Sequence, residues 1–185
     1  MIGPWLRPRG TRVAPRNLEQ IRRVAIATRT LLKVEDPRID MIDLLENKLR
    51  NRGIHFHLVQ PSDIPGDAAR AIPQQGKLLL SIEAYDAIHN GDRVQELLIP
   101  HEIGHFALMH DTTAVFSREI TWHTHTALED SEVQADRFSH EFAMPINMVK
   151  EHCRSLSAIE KIFNVPKEDA RIRMEQLRQE GLIDW

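Results

Sequence analysis

A mainly helical α+β fold, with a small three-stranded sheet and a C-terminal helical segment, is what this chain predicts. Three observations carry that expectation. Apolar residues recur at helical spacing over most of the length, only three short segments (54–59, 68–72 and 77–82) read as strands, and beyond Pro145 the pattern is helical throughout. With 185 residues, 42% of them hydrophobic, the chain has enough material for one buried core rather than two.

Residues 1–16 contain Pro4, Pro8, Pro15 and Gly10 and read as an irregular basic arm. From Met1 to Lys33, seven Arg and one Lys stand against a single acid, Glu19. Such an arm can touch nucleic acid or an acidic partner, and simple solvation is the favoured reading. Asn17 can cap a helix running to about Leu32, with Leu18, Ile21, Val24, Ala25 and Leu31 on its apolar side. Ile39, Ile42, Leu45 and Leu49 keep the 3.6-residue period of a second helix over about 39–51, and Gly53 stops it. Ile54 to Val59 alternates as a strand. Ala68 to Ile72, a Pro73-Gln74-Gln75-Gly76 turn and Lys77 to Ile82 form a hairpin, whose second strand is the candidate sheet edge for holding an extended peptide. A helical stretch from about Glu83 then leads through Asn90-Gly91 into the most informative segment. A core over 17–145 and a helical subdomain over 146–185 packed on it are expected.

That segment is His101-Glu102-Ile103-Gly104-His105, an H-E-x-x-H pattern. On a helix, residues four apart share a face, so both imidazoles can reach one metal ion while Glu102 stands beside it as a base toward water. Pro100 is tolerated near a helix start, so either a kink or a restart at about residue 99 is expected. His110 lies five residues past His105, which on a continuing helix is about 140° round and away from the metal, so it reads as a packed or surface histidine. The third ligand is sought in 128–145. Glu132 and Asp136 are four apart on one face, with the small Ala135 and Ser139 beside them and Val133, Phe138 and Phe142 free to face the core. Glu132 completes a His-His-Glu set that leaves one position for water, and Asp136 can accept the remaining ring N–H of His101 or His105. The alternative is an acidic solvated face shared with Glu129, Asp130 and Glu141.

HEIGHFALMH, then Glu132-Val133-Gln134-Ala135-Asp136-Arg137-Phe138-Ser139, then Met144-Pro145 resembles the ImmA/IrrE family of metallopeptidases. Members typically show H-E-x-G-H-x-x-x-x-H, E-x-x-A-N-x-F-A and Met-Pro, and the resemblance covers residues 101–145, fading over 39–100. Asp136 stands where Asn is commoner and Pro100 where a small residue is usual. The resemblance implies a zincin-like metallopeptidase with zinc, or manganese, on His101, His105 and Glu132 and with Glu102 as catalytic base. It also implies a protein substrate, commonly a helix-turn-helix transcriptional repressor of a mobile element or stress response.

Further contacts to substrate or to a developing oxyanion are sought at His123, His125, Tyr85 and Arg93. Helices are expected over 146–155, 157–164 and 167–180, the last two resembling a helix-turn-helix with its turn at Asn164-Val165-Pro166. From Lys150 onward seven basic residues are matched by seven acidic ones, so direct nucleic-acid binding is not expected. Cys153 is the single cysteine, which excludes an internal disulfide and fits a reducing cytoplasm. No apolar stretch has the length to span a bilayer, and the first residues lack a secretory h-region. Two other readings stay open: a metal-binding regulator or antitoxin-type partner acting by protein contact without cleavage, and a DNA-binding protein using the arm and the tail.

Overall fold

The computed structural model describes residues 10–110 and 125–185, and in them the chain is α+β with one small mixed sheet. Helix α1 (Leu18–Leu31) begins at Asn17, whose side chain accepts from Gln20 N while the Gln20 side chain accepts from Asn17 N, a reciprocal cap. The second helical segment exists where the period places it but is not uniform. A short α-turn, α2 (Met41–Asp43), widens into π-turns over Leu44–Leu49 and tightens at Arg50–Arg52, where Gly53 takes a left-handed φ of 77°. Strands β1 (His55–Val59), β2 (Ala69–Ile72) and β3 (Lys77–Ser81) follow.

The hairpin of β2 and β3 is antiparallel, as its turn residues suggest, but the sheet order is β1-β3-β2, with β1 parallel to β3. The expectation that Lys77 to Ile82 forms the sheet edge is therefore wrong. β3 is central, with Leu78 and Leu80 fully buried, and β2 is the edge on the side of the site described below. Parallel partners meet across an intervening strand, a long-range pairing that local alternation does not reveal. Helices α3 (Ile82–His89) and α4 (Arg93–Glu96) lead to α5 (Leu98–Ala107). Pro100 falls in the first turn of α5, where no intrahelical partner awaits its missing N–H, so the restart reading holds. After the undescribed residues come α6 (Ser131–Ala143), α7 (Ile146–His152), α8 (Leu156–Phe163) and α9 (Lys167–Gln179). Asn164, at φ 55°, ends α8 with the left-handed residue that the expected turn requires.

Among the described residues, buried apolar side chains fall into two clusters rather than one. The larger joins α1, the second helical segment, the sheet, α3 and α5 to Phe138 and Phe142 of α6. The smaller runs from Ala143 and Met144 through Val149, Cys153, Ile159, Phe163 and Leu177. Helix α6 takes part in both. A buried ion cluster joins them: Arg173 donates to Glu141 at 2.8 and 2.6 Å, and Arg22 of α1 reaches the same carboxylate at 2.9 Å.

This cluster also corrects the view of α6 as an acidic solvated face. Glu141 and Asp130 are 1% and 0% exposed. The basic N-terminal residues supply much of the compensation, because Arg22 pairs with Glu141 and Glu180, and Arg12 with Glu129. Arg29 donates to the carbonyls of Phe142 and Asp36 at 2.6 Å each. Among the described residues no helix is long and apolar enough to cross a membrane.

Removing one partner of a buried ion pair costs about 3–5 kcal/mol, so Arg173→Ala should lower the free energy of urea unfolding by that order at pH 7. Burial alone would raise the Glu141 carboxyl, but Arg173 and Arg22 outweigh it and hold the group below its ordinary 4.5. A carboxyl depressed in the folded state contributes stability above its unfolded value and loses it as pH falls through the folded one. The difference between parent and variant should therefore be flat from pH 6 to 8 and shrink below about pH 4.5. An acid-insensitive difference would contradict the pairing.

Candidate metal centre

The site forms where α5 and α6 cross. Gly104 permits the approach, since a Cβ there would stand 3.1 Å from Phe138 Cδ1 and 3.2 Å from Ala135 Cα. Ala135, as its size suggests, lies in this contact and is fully buried. The crossing brings His101 and His105 of α5 against Glu132 and Asp136 of α6. His101 Nε2 lies 3.2 Å from Glu132 Oε2 and 3.3 Å from His105 Nε2, and His105 Nε2 lies 3.6 Å from Glu132 Oε1. Metal–ligand bonds of about 2.0–2.2 Å in a tetrahedron separate the ligand atoms by about 3.3–3.6 Å. The spacing of the three groups fits such an ion, and they are a set able to hold one.

The far nitrogens of both rings are held by the protein. His101 Nδ1 lies 2.9 Å from Asp136 Oδ1, to which it donates, the role expected for Asp136. The support of His105 comes from an unexpected place. Helix α5 ends in a turn in which Met109 takes a left-handed φ of 56°, Met109 N donates to Phe106 O and His110 N donates to His105 O. His110 is thereby swung back beneath His105, its Nδ1 3.0 Å from His105 Nδ1. The expectation that His110 faces away assumed that the helix continues. His110 is packed, at 2% exposure, but it packs on a site histidine.

Its protonation follows from Gln134. The Gln134 amide nitrogen donates to Ala14 O and Leu128 O, which turns Oε1 toward His110 Nε2 at 3.0 Å. An amide oxygen only accepts, so His110 carries its proton on Nε2 and offers a lone pair at Nδ1. His105 must then donate from Nδ1, which leaves the lone pair of its Nε2 facing His101 and Glu132. The chain Ala14–Gln134–His110–His105 selects the tautomer that a metal ligand requires.

The electrostatics of the group agree with this. Burial lowers His101, but the hydrogen bonds it donates to Asp136 and Glu132 more than reverse it, up to about 10. Burial, and then the charge of His101, push His105 down to about 3. A proton on His101 Nε2 thus occupies the place a cation would take. Burial pushes Glu102 up to about 7 against the opposing pull of His101 and of Ala71 N, which donates to Glu102 Oε2 at 2.5 Å. That bond ties the carboxylate to edge strand β2.

A cleft of about 470 Å³ opens beside these groups. The Gly66–Ala69 approach to β2 lines one side, Asp136, Arg137 and His140 of α6 another, and Asp169, Ile172 and Gln176 of α9 a third. Among the described residues that line the cleft, Arg137 is the only Lys or Arg. Nothing in the local pattern marked its place there, because the cleft wall is completed by residues of α9, distant in sequence.

Of the other candidates, Tyr85 donates to Glu46 at 2.7 Å and stacks on Phe56, and exposed Arg93 faces Glu160 at 3.6 Å. Neither is brought to the cleft. His125 Nε2 lies 2.8 Å from Asp130 Oδ2 and so braces the N-terminal cap of α6. His123 lies outside the described residues. No protein-family model matches the chain, and no curated protein matches it.

The hydrogen-bond chain has a direct spectroscopic consequence. Long-range ¹H–¹⁵N spectra of the imidazoles in metal-free protein at pH 7 should show His105 as the Nδ1–H tautomer and His110 as Nε2–H. The reverse pair would contradict the relay.

Proposed function

We propose that this protein is a zincin-like, metal-dependent peptidase of the ImmA/IrrE type, with His101, His105 and Glu132 as ligands and Glu102 as base. The observation that carries the reading is the convergence of two imidazole Nε2 atoms and one carboxylate at the spacing of a tetrahedral ion, beside a cleft lined by His101, Glu102 and Glu132. Two nitrogens and one oxygen suit zinc with one position left open, and manganese is the alternative metal. When bound, the ion supplies a Lewis acid that polarises a carbonyl and brings the pKa of a bound water to about 7.

The remaining work falls to the chain. Glu102 takes a proton from the attacking water as the new C–O bond forms, then delivers it to the departing amine nitrogen as the C–N bond breaks. Its Oε2 is anchored by Ala71 N, so Oε1 handles the proton. Asp136 and His110 hold the two rings in place. An extended peptide lying along β2 would enter a cleft whose far wall is α9. The resemblance of residues 101–145 points to a helix-turn-helix repressor as substrate, and the single cysteine suits a cytoplasmic setting.

Incubating the zinc-loaded protein with helix-turn-helix repressors, and mapping products by mass spectrometry, tests this directly. Glu102→Gln should bind zinc one to one yet cleave about 10²–10⁴-fold more slowly. His105→Ala should lose the metal. Cleavage by Glu102→Gln at the parental rate would remove Glu102 as base and favour a regulator that works by contact alone.

A further inference from the structure

Residues 10–16 lie against both helices that carry the site. Thr11 and Arg12 form a short antiparallel bridge with the start of α6: Ser131 N donates to Thr11 O at 3.0 Å, Thr11 N donates to Ser131 Oγ at 3.0 Å, and Val13 N donates to Glu129 O at 2.7 Å. Gly10 N donates to Asp130 Oδ2 at 2.8 Å, the carboxylate that also caps α6 through Val133 N. Gly10 itself is pressed onto Glu132. A Cβ at that position would overlap Ser131 Oγ and fall 2.7 Å from Glu132 Cγ and 2.8 Å from Glu132 N. Further along, Ala14 O holds the Gln134 amide at 2.9 Å, and Arg16 donates at 3.2 Å to Leu108 O in the turn that swings His110 back.

We propose that residues 10–16 are a latch for the metal centre, positioning Glu132 through Gly10 and the His105 tautomer through Ala14, Gln134 and His110. The inference rests on the metal reading above. Two of the three ligands are set by this one segment, so releasing it opens the site without dismantling either apolar cluster. None of its residues belongs to those clusters. Residues 10–16 thus act inward, on the chain's own α5 and α6. Anything that strips it away, such as proteolysis or capture by another protein, would switch metal binding off.

The test compares the parent, a form lacking residues 1–16, Gly10→Val, the milder Gly10→Ala, and Arg173→Ala as a variant that disturbs stability far from the latch. Zinc affinity is read by competition with a chromophoric chelator, coordination by the visible d–d bands of cobalt(II), and folding by circular dichroism. Partners that orient metal ligands are worth about 10–100-fold in affinity. Gly10→Val and the truncated form should lose at least tenfold in zinc affinity, with weakened cobalt bands and native helicity. Gly10→Ala should lose less, and Arg173→Ala should keep parental affinity despite its lower stability. Should the truncated form fail to fold, the two Gly10 substitutions decide the matter. Zinc affinities within twofold of the parent for both, with unchanged cobalt bands, would overturn the latch alone. A parent that binds neither metal would overturn the metal reading and the latch with it.

Discussion

Three acceptor atoms brought within bonding range of one another are a liability unless a positive charge lies among them. The crossing of α5 and α6 creates that situation with two imidazole Nε2 atoms and the Glu132 carboxylate. Each far ring nitrogen is spoken for, one by Asp136 and the other by His110, so the rings cannot turn away. A proton on His101 relieves the repulsion in part, as its rise to about 10 shows. Much else in the molecule follows from keeping these groups together. Gly104 brings the helices close, Ala71 restrains Glu102 and the N-terminal segment presses on Glu132.

The distribution of charge takes its meaning from the same geometry. An arginine-rich N-terminal region and an acid-rich α6 look like two solvated surfaces when read separately. Folded, they neutralise one another at Arg12–Glu129 and Arg22–Glu141. Arg173 of α9 adds a second guanidinium to Glu141, so the C-terminal helices are tied to α6 at the point where they also wall the cleft. Apolar packing in place of such a buried pair is often as stable or more so, whereas removing one partner is costly because it strands the other charge.

Local signals in the sequence proved sufficient where local physics decides. The 3.6-residue period places α1 and α5 to α9 within a few residues, and the Asn17 cap and the hairpin turn at Pro73–Gly76 stand where their residue types put them. The four-residue spacings His101/His105 and Glu132/Asp136 place each pair on one helix face, and the structure brings the two pairs together. What was hidden depends on distant contacts. The central position of β3 is set by its parallel pairing with β1. His110 is packed as expected, but it turns toward His105 rather than away because a left-handed Met109, not a glycine, ends the helix. The burial of Asp130 and Glu141 depends on partners more than a hundred residues away in both cases, with Arg173 a further, nearer partner of Glu141. Gly10 carried no local mark of its contact with Glu132.

X-ray absorption at the zinc edge of the loaded protein examines the central claim at the atoms concerned. Zinc should be surrounded by nitrogen and oxygen at about 2.0–2.2 Å, with the multiple-scattering signature of two imidazoles and no sulfur. A shell of oxygen alone, a single imidazole, or a spectrum left unchanged when Glu132 is replaced by alanine would contradict it.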